Sequence, residues 1–141
     1  MFTGRLGRGD RPAGNKTPDS MEDAAECVPG RFENIFIWES GSFEEDDCRS
    51  RCLTNKVIMI KSSNCWKCTD TEPDFLAACE EREIKPLILD VTHSDDFLLL
   101  NSLGIDIAGT PTFIFGCDYY LGVMGSKEDY LEVIDIFLSG K

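Results

Sequence analysis

The run Val57-Ile58-Met59-Ile60, ending at Lys61, constrains the fold more than any other stretch. It has no polar face to turn to water, so it reads as a strand buried on both sides beneath covering helices. A short loop leads from it to Cys65-Trp66-Lys67-Cys68, where a helix is expected to start and run to about Arg82. A second apolar run, residues 86–91, follows. Buried strand, helix and buried strand in that order argue for parallel pairing, because parallel neighbours need a long crossover.

The flanking segments extend this pattern. Residues 32–38, aromatic and β-branched, read as a strand. Ser42 is placed to cap a helix from about Phe43 to Leu53, with Glu44, Glu45 and Asp46 favourable to the dipole of its first turn. Residues 94–103 suggest a helix capped by Ser94. Residues 112–115 and 119–124 read as two strands around a turn at Gly116-Cys117-Asp118. A closing amphipathic helix, 127–138, gathers Tyr130, Leu131, Ile134, Phe137 and Leu138 on one face. The order β-α-β-α-β-α-β-β-α implies an α/β domain, a central mixed sheet with helices on both faces. Trp38, Phe75 and Phe97-Leu98-Leu99-Leu100 are assigned to its core. No internal repeat is present.

The 141 residues suit one domain, 29–141, preceded by a tail, 1–28, whose Gly, Arg, Pro and Asp content reads as disordered. Met21 is an alternative start, and the Arg8-Gly9-Asp10 and Asn15-Lys16-Thr17 tripeptides are weak signals. The formal charge of −12 argues against nucleic-acid binding, since no basic stripe exists to neutralise phosphates. It suits a solvated surface or a basic partner. No apolar run of membrane-spanning length occurs, and the first residues lack the apolar core of a secretory signal, so a cytoplasmic, reducing setting and a monomer are expected.

In such a setting C-x-x-C is read as chemistry before architecture. Cys65 at a helix start meets unpaired N–H groups and the positive end of the dipole, which stabilise a thiolate, the attacking species. Lys67 adds positive charge. Cys68, one turn on, is within reach to resolve a mixed disulfide. Cys65 is therefore the candidate nucleophile and Cys68 the resolving thiol. Pro73 should kink the helix by removing a hydrogen bond. Two other readings stay open: a redox-inactive fold serving as a binding or adaptor module, and a metal site in which Cys48, Cys52, Cys65 and Cys68 form an all-thiolate zinc set or the thiols hold an iron–sulfur centre. Otherwise Cys48 and Cys52 are small packers on one helix face, or a regulatory dithiol. Cys79 is assigned to the core, and Cys117 to an exposed turn open to oxidation or intermolecular bonding. His93, the sole histidine, is read as a loop residue.

CWKC with Pro73 beyond it, GIDIAGTPTFIF at 104–115, GVMGSKEDYLEVIDIFL at 122–138 and IFIWESGSFEE at 35–45 together resemble the thioredoxin superfamily over roughly residues 33–138. The resemblance implies a thioredoxin fold and a thiol–disulfide oxidoreductase serving cell redox homeostasis and electron transport. Its substrates would be protein disulfides, and an upstream thiol reductase would regenerate it. No cofactor beyond the Cys65–Cys68 pair is implied. Pro111 would be a cis-proline facing the pair, supported by Trp66 and Lys67. Thr110, Pro111 and Gly125 would bind an extended substrate segment. The departures are specific. Asn64 stands where the family carries tryptophan, and Trp66 lies between the cysteines. Met59 replaces the family's buried aspartate, and its lysine partner falls near Pro86. Deprotonation of Cys68 is thereby left to water, Lys61 or Lys67. Glutaredoxin-type glutathione-binding signals are not matched.

Overall fold

The computed structural model describes Cys27 and residues 30–140. The readings of the tail before Cys27, with its alternative start and tripeptide motifs, lie outside the described residues. Among the described residues, seven strands and four helices follow one another: β1 Ile35–Ile37, β2 Gly41–Ser42, α1 Glu45–Ser50, β3 Val57–Lys61, α2 Trp66–Glu81, β4 Leu87–Asp90, α3 Ser94–Ser102, β5 Ile105–Ile107, β6 Thr112–Phe115, β7 Asp118–Leu121 and α4 Lys127–Ser139.

Five strands form one sheet in the order β2-β7-β6-β3-β4. β3 and β4 are parallel, with Ile58 opposite Leu87 and Lys61 opposite Asp90, as the intervening helix requires. β6 runs antiparallel to β3 and to β7, and β7 antiparallel to β2. The two-residue period of β3 divides the core. Ile58 and Ile60 join Ile37, Phe43, Cys48, Leu53, Leu89, Leu100, Ile105 and Ile114 on one face, beneath α1 and α3. Val57 and Met59 join Cys68, Phe75, Ala78, Cys79, Phe113, Phe115, Tyr130 and Ile134 on the other, beneath α2 and α4. Helices thus cover both faces of a mixed, mostly antiparallel sheet. The architecture is a thioredoxin-like α/β fold.

Several expectations are corrected. The opening strand stays outside the main sheet and pairs in parallel with β5, a three-residue strand with too few residues to display a pattern. Ser42 caps no helix. It lies in β2, its hydroxyl 2.6 Å from Asp118 Oδ1, and α1 starts later, behind Glu44. His93, not Ser94, is the N-cap residue of α3. β7 ends at Leu121, short of 124. Trp38, Phe97, Leu98 and Leu99 face solvent; of that group only Phe75 and Leu100 are core.

Buried Arg51, at the end of α1, is a polar core element with no sequence signal. Its guanidinium donates to the carbonyls of Leu103 at 2.7 Å, Gly104 at 3.1 Å and Glu33, pairs with Asp47 at 3.1 Å and lies over the Phe32 ring. Burial of a charge is tolerable because its donors are occupied. Gly104 permits this approach: its φ is +71°, and a Cβ would fall 2.6 Å from the Phe32 ring and 2.7 Å from Arg51 Nη1.

Candidate active site

β3 ends at Lys61, and residues 62–64 carry the chain to Cys65, the N-cap residue of α2. The extended backbone of Cys65, φ −99° and ψ 102°, turns its sulfur over the first helical turn. Sγ accepts a hydrogen bond from the Cys68 N–H at 3.1 Å. This is one of the orphan amides of a helix start, and it supplies positive potential at the sulfur. The first turn contains no acidic side chain to oppose that field. Cys65 is bonded to Cys68, with their Cα atoms 5.2 Å apart. Cys68 is 1% exposed, whereas Cys65 remains partly accessible. Of the two sulfurs, an incoming reagent therefore meets Cys65 first.

The Thr110–Pro111 peptide bond is cis, and Thr110 O lies 3.6 Å from Cys65 Sγ. Ser62 and Thr110 share a hydroxyl hydrogen bond of 3.1 Å, which ties the loop before Cys65 to the segment before Pro111. Trp66 is 73% exposed, with the Lys67 ammonium 5.8 Å from its ring centroid. Trp66, Lys67, Asp70 and Val123 border a depression of about 360 Å³ at the first turns of α2. Gly125, at φ +134°, is held by a different constraint: a Cβ there would fall 2.1 Å from the Asp129 carboxylate. That carboxylate accepts from the Ser126 N–H at 2.8 Å and closes the capping box of α4.

Lys61 points to the α2 side of the sheet, two residues beyond Met59, and its ammonium is 3.0 Å from Glu72 Oε1. Met59 is fully buried in that layer. The helix continues through Pro73. One turn past Cys68, the buried Thr71 hydroxyl bonds the Tyr130 hydroxyl, and Tyr130 accepts from the Met124 N–H at 3.4 Å. α2, α4 and the loop carrying Val123 thus meet at one phenol. Burial raises that phenol's pKa. Tyr130 appears in the sequence only as an apolar-face position, so its polar role was not legible there.

The other cysteines correct the sequence reading most. Cys48 is bonded to Cys117, and Cys52 to Cys27, so Cys48 and Cys52 are neither thiol packers nor a dithiol with each other. Cys117 is engaged within the chain rather than offered to another molecule. The four-thiol zinc set does not form, since two of its members are bonded elsewhere, and among the described residues no cluster of three or more His, Cys, Asp or Glu is arranged to hold a metal. Cys79 is the free thiol among the described residues; burial pushes its pKa up to about 12.

No protein-family model matches the chain, and no curated protein or solved structure matches it significantly.

Proposed function

We propose that the protein is a thiol–disulfide oxidoreductase working as a monomer on protein disulfides. The observation that carries this reading is the asymmetry of one disulfide: a partly exposed Cys65 at the start of a long helix, bonded to a buried Cys68. In the reduced protein the Cys65 thiolate would attack one sulfur of a substrate disulfide and expel the other as a thiolate. Cys68, after losing its proton, would attack Cys65 Sγ and release the second substrate sulfur. Two electrons pass to the substrate, which leaves as a dithiol once protonated, and Cys65–Cys68 is left oxidised. An upstream dithiol reductase would restore the starting state by the same exchange. Run in reverse, the sequence makes a substrate disulfide.

Thr110, whose carbonyl lies 3.6 Å from Cys65 Sγ, would receive the substrate segment together with Pro111, Trp66 and Val123; Gly125 would act through the shape of the neighbouring loop. The two other disulfides support a compartment in which disulfides persist. A redox titration with differential alkylation and peptide mass spectrometry tests the reading. Cys65 and Cys68 should titrate together as a two-electron couple between about −180 and −280 mV, and the value gives the direction. A pair that stays oxidised in excess dithiol would sink the proposal and favour a binding module on the same fold.

A further inference from the structure

We infer that Asp90 is a positioning residue for Cys65. This rests on the oxidoreductase reading and adds to it a residue at the end of the neighbouring strand, beyond α2 in the chain. Asp90 ends β4, directly beside Lys61 at the end of β3. Its side chain is largely buried, 10% exposed. A carboxylate out of water must find donors. It finds them in the Thr92 N–H at 2.9 Å, the Thr92 hydroxyl and the Ser63 hydroxyl at 2.9 Å. The Ser63 N–H in turn donates to Thr92 Oγ1 at 3.3 Å. Side chain and backbone of Ser63 are therefore both held by the end of β4. The charged neighbours are Asp96, whose carboxylate accepts from the Asp90 N–H at 3.0 Å, and the exposed His93 imidazole, 3.9 Å away.

Ser63 lies midway along the loop that delivers the nucleophile. Its neighbour Ser62 is tied on the opposite side to Thr110, and the Ser62 carbonyl accepts from the Cys65 N–H at 3.3 Å. The loop is thus clamped between β4 and the segment before Pro111, with Cys65 at its free end. The field at the Cys65 sulfur depends on its position over the Cys68 N–H. Loosening the β4 side lets Cys65 drift from that amide, and its thiolate loses stabilisation. Asp90 touches neither sulfur; it acts through Ser63.

The test measures the pH dependence of Cys65 alkylation by iodoacetamide in the reduced full chain, read by peptide mass spectrometry, for wild type, Asp90→Ala and Asp90→Asn. Asp90→Ala should raise the midpoint and slow alkylation at pH 6 by about threefold or more, since the rate follows thiolate fraction. Asp90→Asn keeps one acceptor oxygen and should recover most of the rate. Ser63→Ala, which removes the hydroxyl bonded to both Asp90 and Thr92, should reproduce the shift and covers the case in which Asp90→Ala does not fold. A wild-type midpoint in Ser63→Ala, or in folded Asp90→Ala, overturns the inference, as does an Asp90→Asn variant no better than Asp90→Ala. The midpoint is read on the thiols alone. Failure of wild-type Cys65 and Cys68 to form a reversible couple would strike the oxidoreductase reading instead.

Discussion

At the scale of single residues, three sulfurs on the α2 side of the sheet differ by their surroundings. Cys65 has an amide hydrogen beside it, Cys68 is sealed beneath it, and Cys79 is buried in apolar packing. Cys68→Ser should leave Cys65 able to attack but unable to be released. Mixed disulfides with substrate proteins should accumulate on non-reducing gels and vanish with dithiothreitol; their absence would argue against nucleophilic exchange at Cys65. Cys79, with a pKa pushed to about 12, should resist iodoacetamide at pH 9 in the native protein and react once guanidinium unfolds it. Asp90 provides a pH prediction. Hydrogen bonds from Thr92, first of all its hydroxyl, then its N–H and the Ser63 hydroxyl, hold the folded-state pKa below the usual carboxylate value. Its contribution to stability is therefore complete above the unfolded pKa of about 4 and disappears as pH falls through the folded value. Denaturation curves collected from pH 5 down to pH 2 should lose less stability in Asp90→Asn than in wild type.

At the scale of elements, what could be read from the sequence was what periodicity and burial dictate together. β3 and β6 are legible because strands buried on both faces leave continuous apolar runs, and α2 because its length outlasts any strand. The start of α2 at Cys65 and the polarity of its first turn were accessible for the same reason. β5 was not, since three residues make no pattern. The exposure of Phe97, Leu98 and Leu99 was not either: α3 is short, and only Leu100 reaches the sheet. The loop clamp and the Thr71–Tyr130 bond are long-range polar pairings, which hydrophobic spacing does not encode. Arg51 is the sharpest case. A basic residue at the end of a helix is ordinary by sequence, yet here it joins α1 to β5 and to the chain before β1. Arg51→Ala would leave the Gly104, Leu103 and Glu33 carbonyls and the Asp47 carboxylate without their partner and should cost about 3 kcal/mol or more, measurable by urea denaturation.

At the scale of the whole molecule, cross-links supplement the core. Cys48–Cys117 fastens α1 to the β6–β7 turn across a sequence separation of 69 residues. Replacing both cysteines by alanine should lower stability by about 4 kcal/mol through the freedom restored to the unfolded chain, with the Cys65–Cys68 potential unchanged. A shifted potential would mean that the two disulfides are coupled. The pairing itself could not be foreseen, because cysteine spacing does not determine connectivity and Cys117 lies far from Cys48 in the chain.

The division of the core by the sheet has a consequence for traffic among the sulfurs. Cys48 and Cys117 belong to the layer under α1 and α3, whereas Cys65, Cys68 and Cys79 belong to the layer under α2 and α4. Thiol–disulfide exchange needs sulfur-to-sulfur contact, and a hydrogen-bonded sheet of fully buried side chains stands between the two groups. It works as an insulating wall: Cys65 opens to the outside and is separated from the Cys48–Cys117 rivet on the far side, so thiol exchange at Cys65 would leave that cross-link intact.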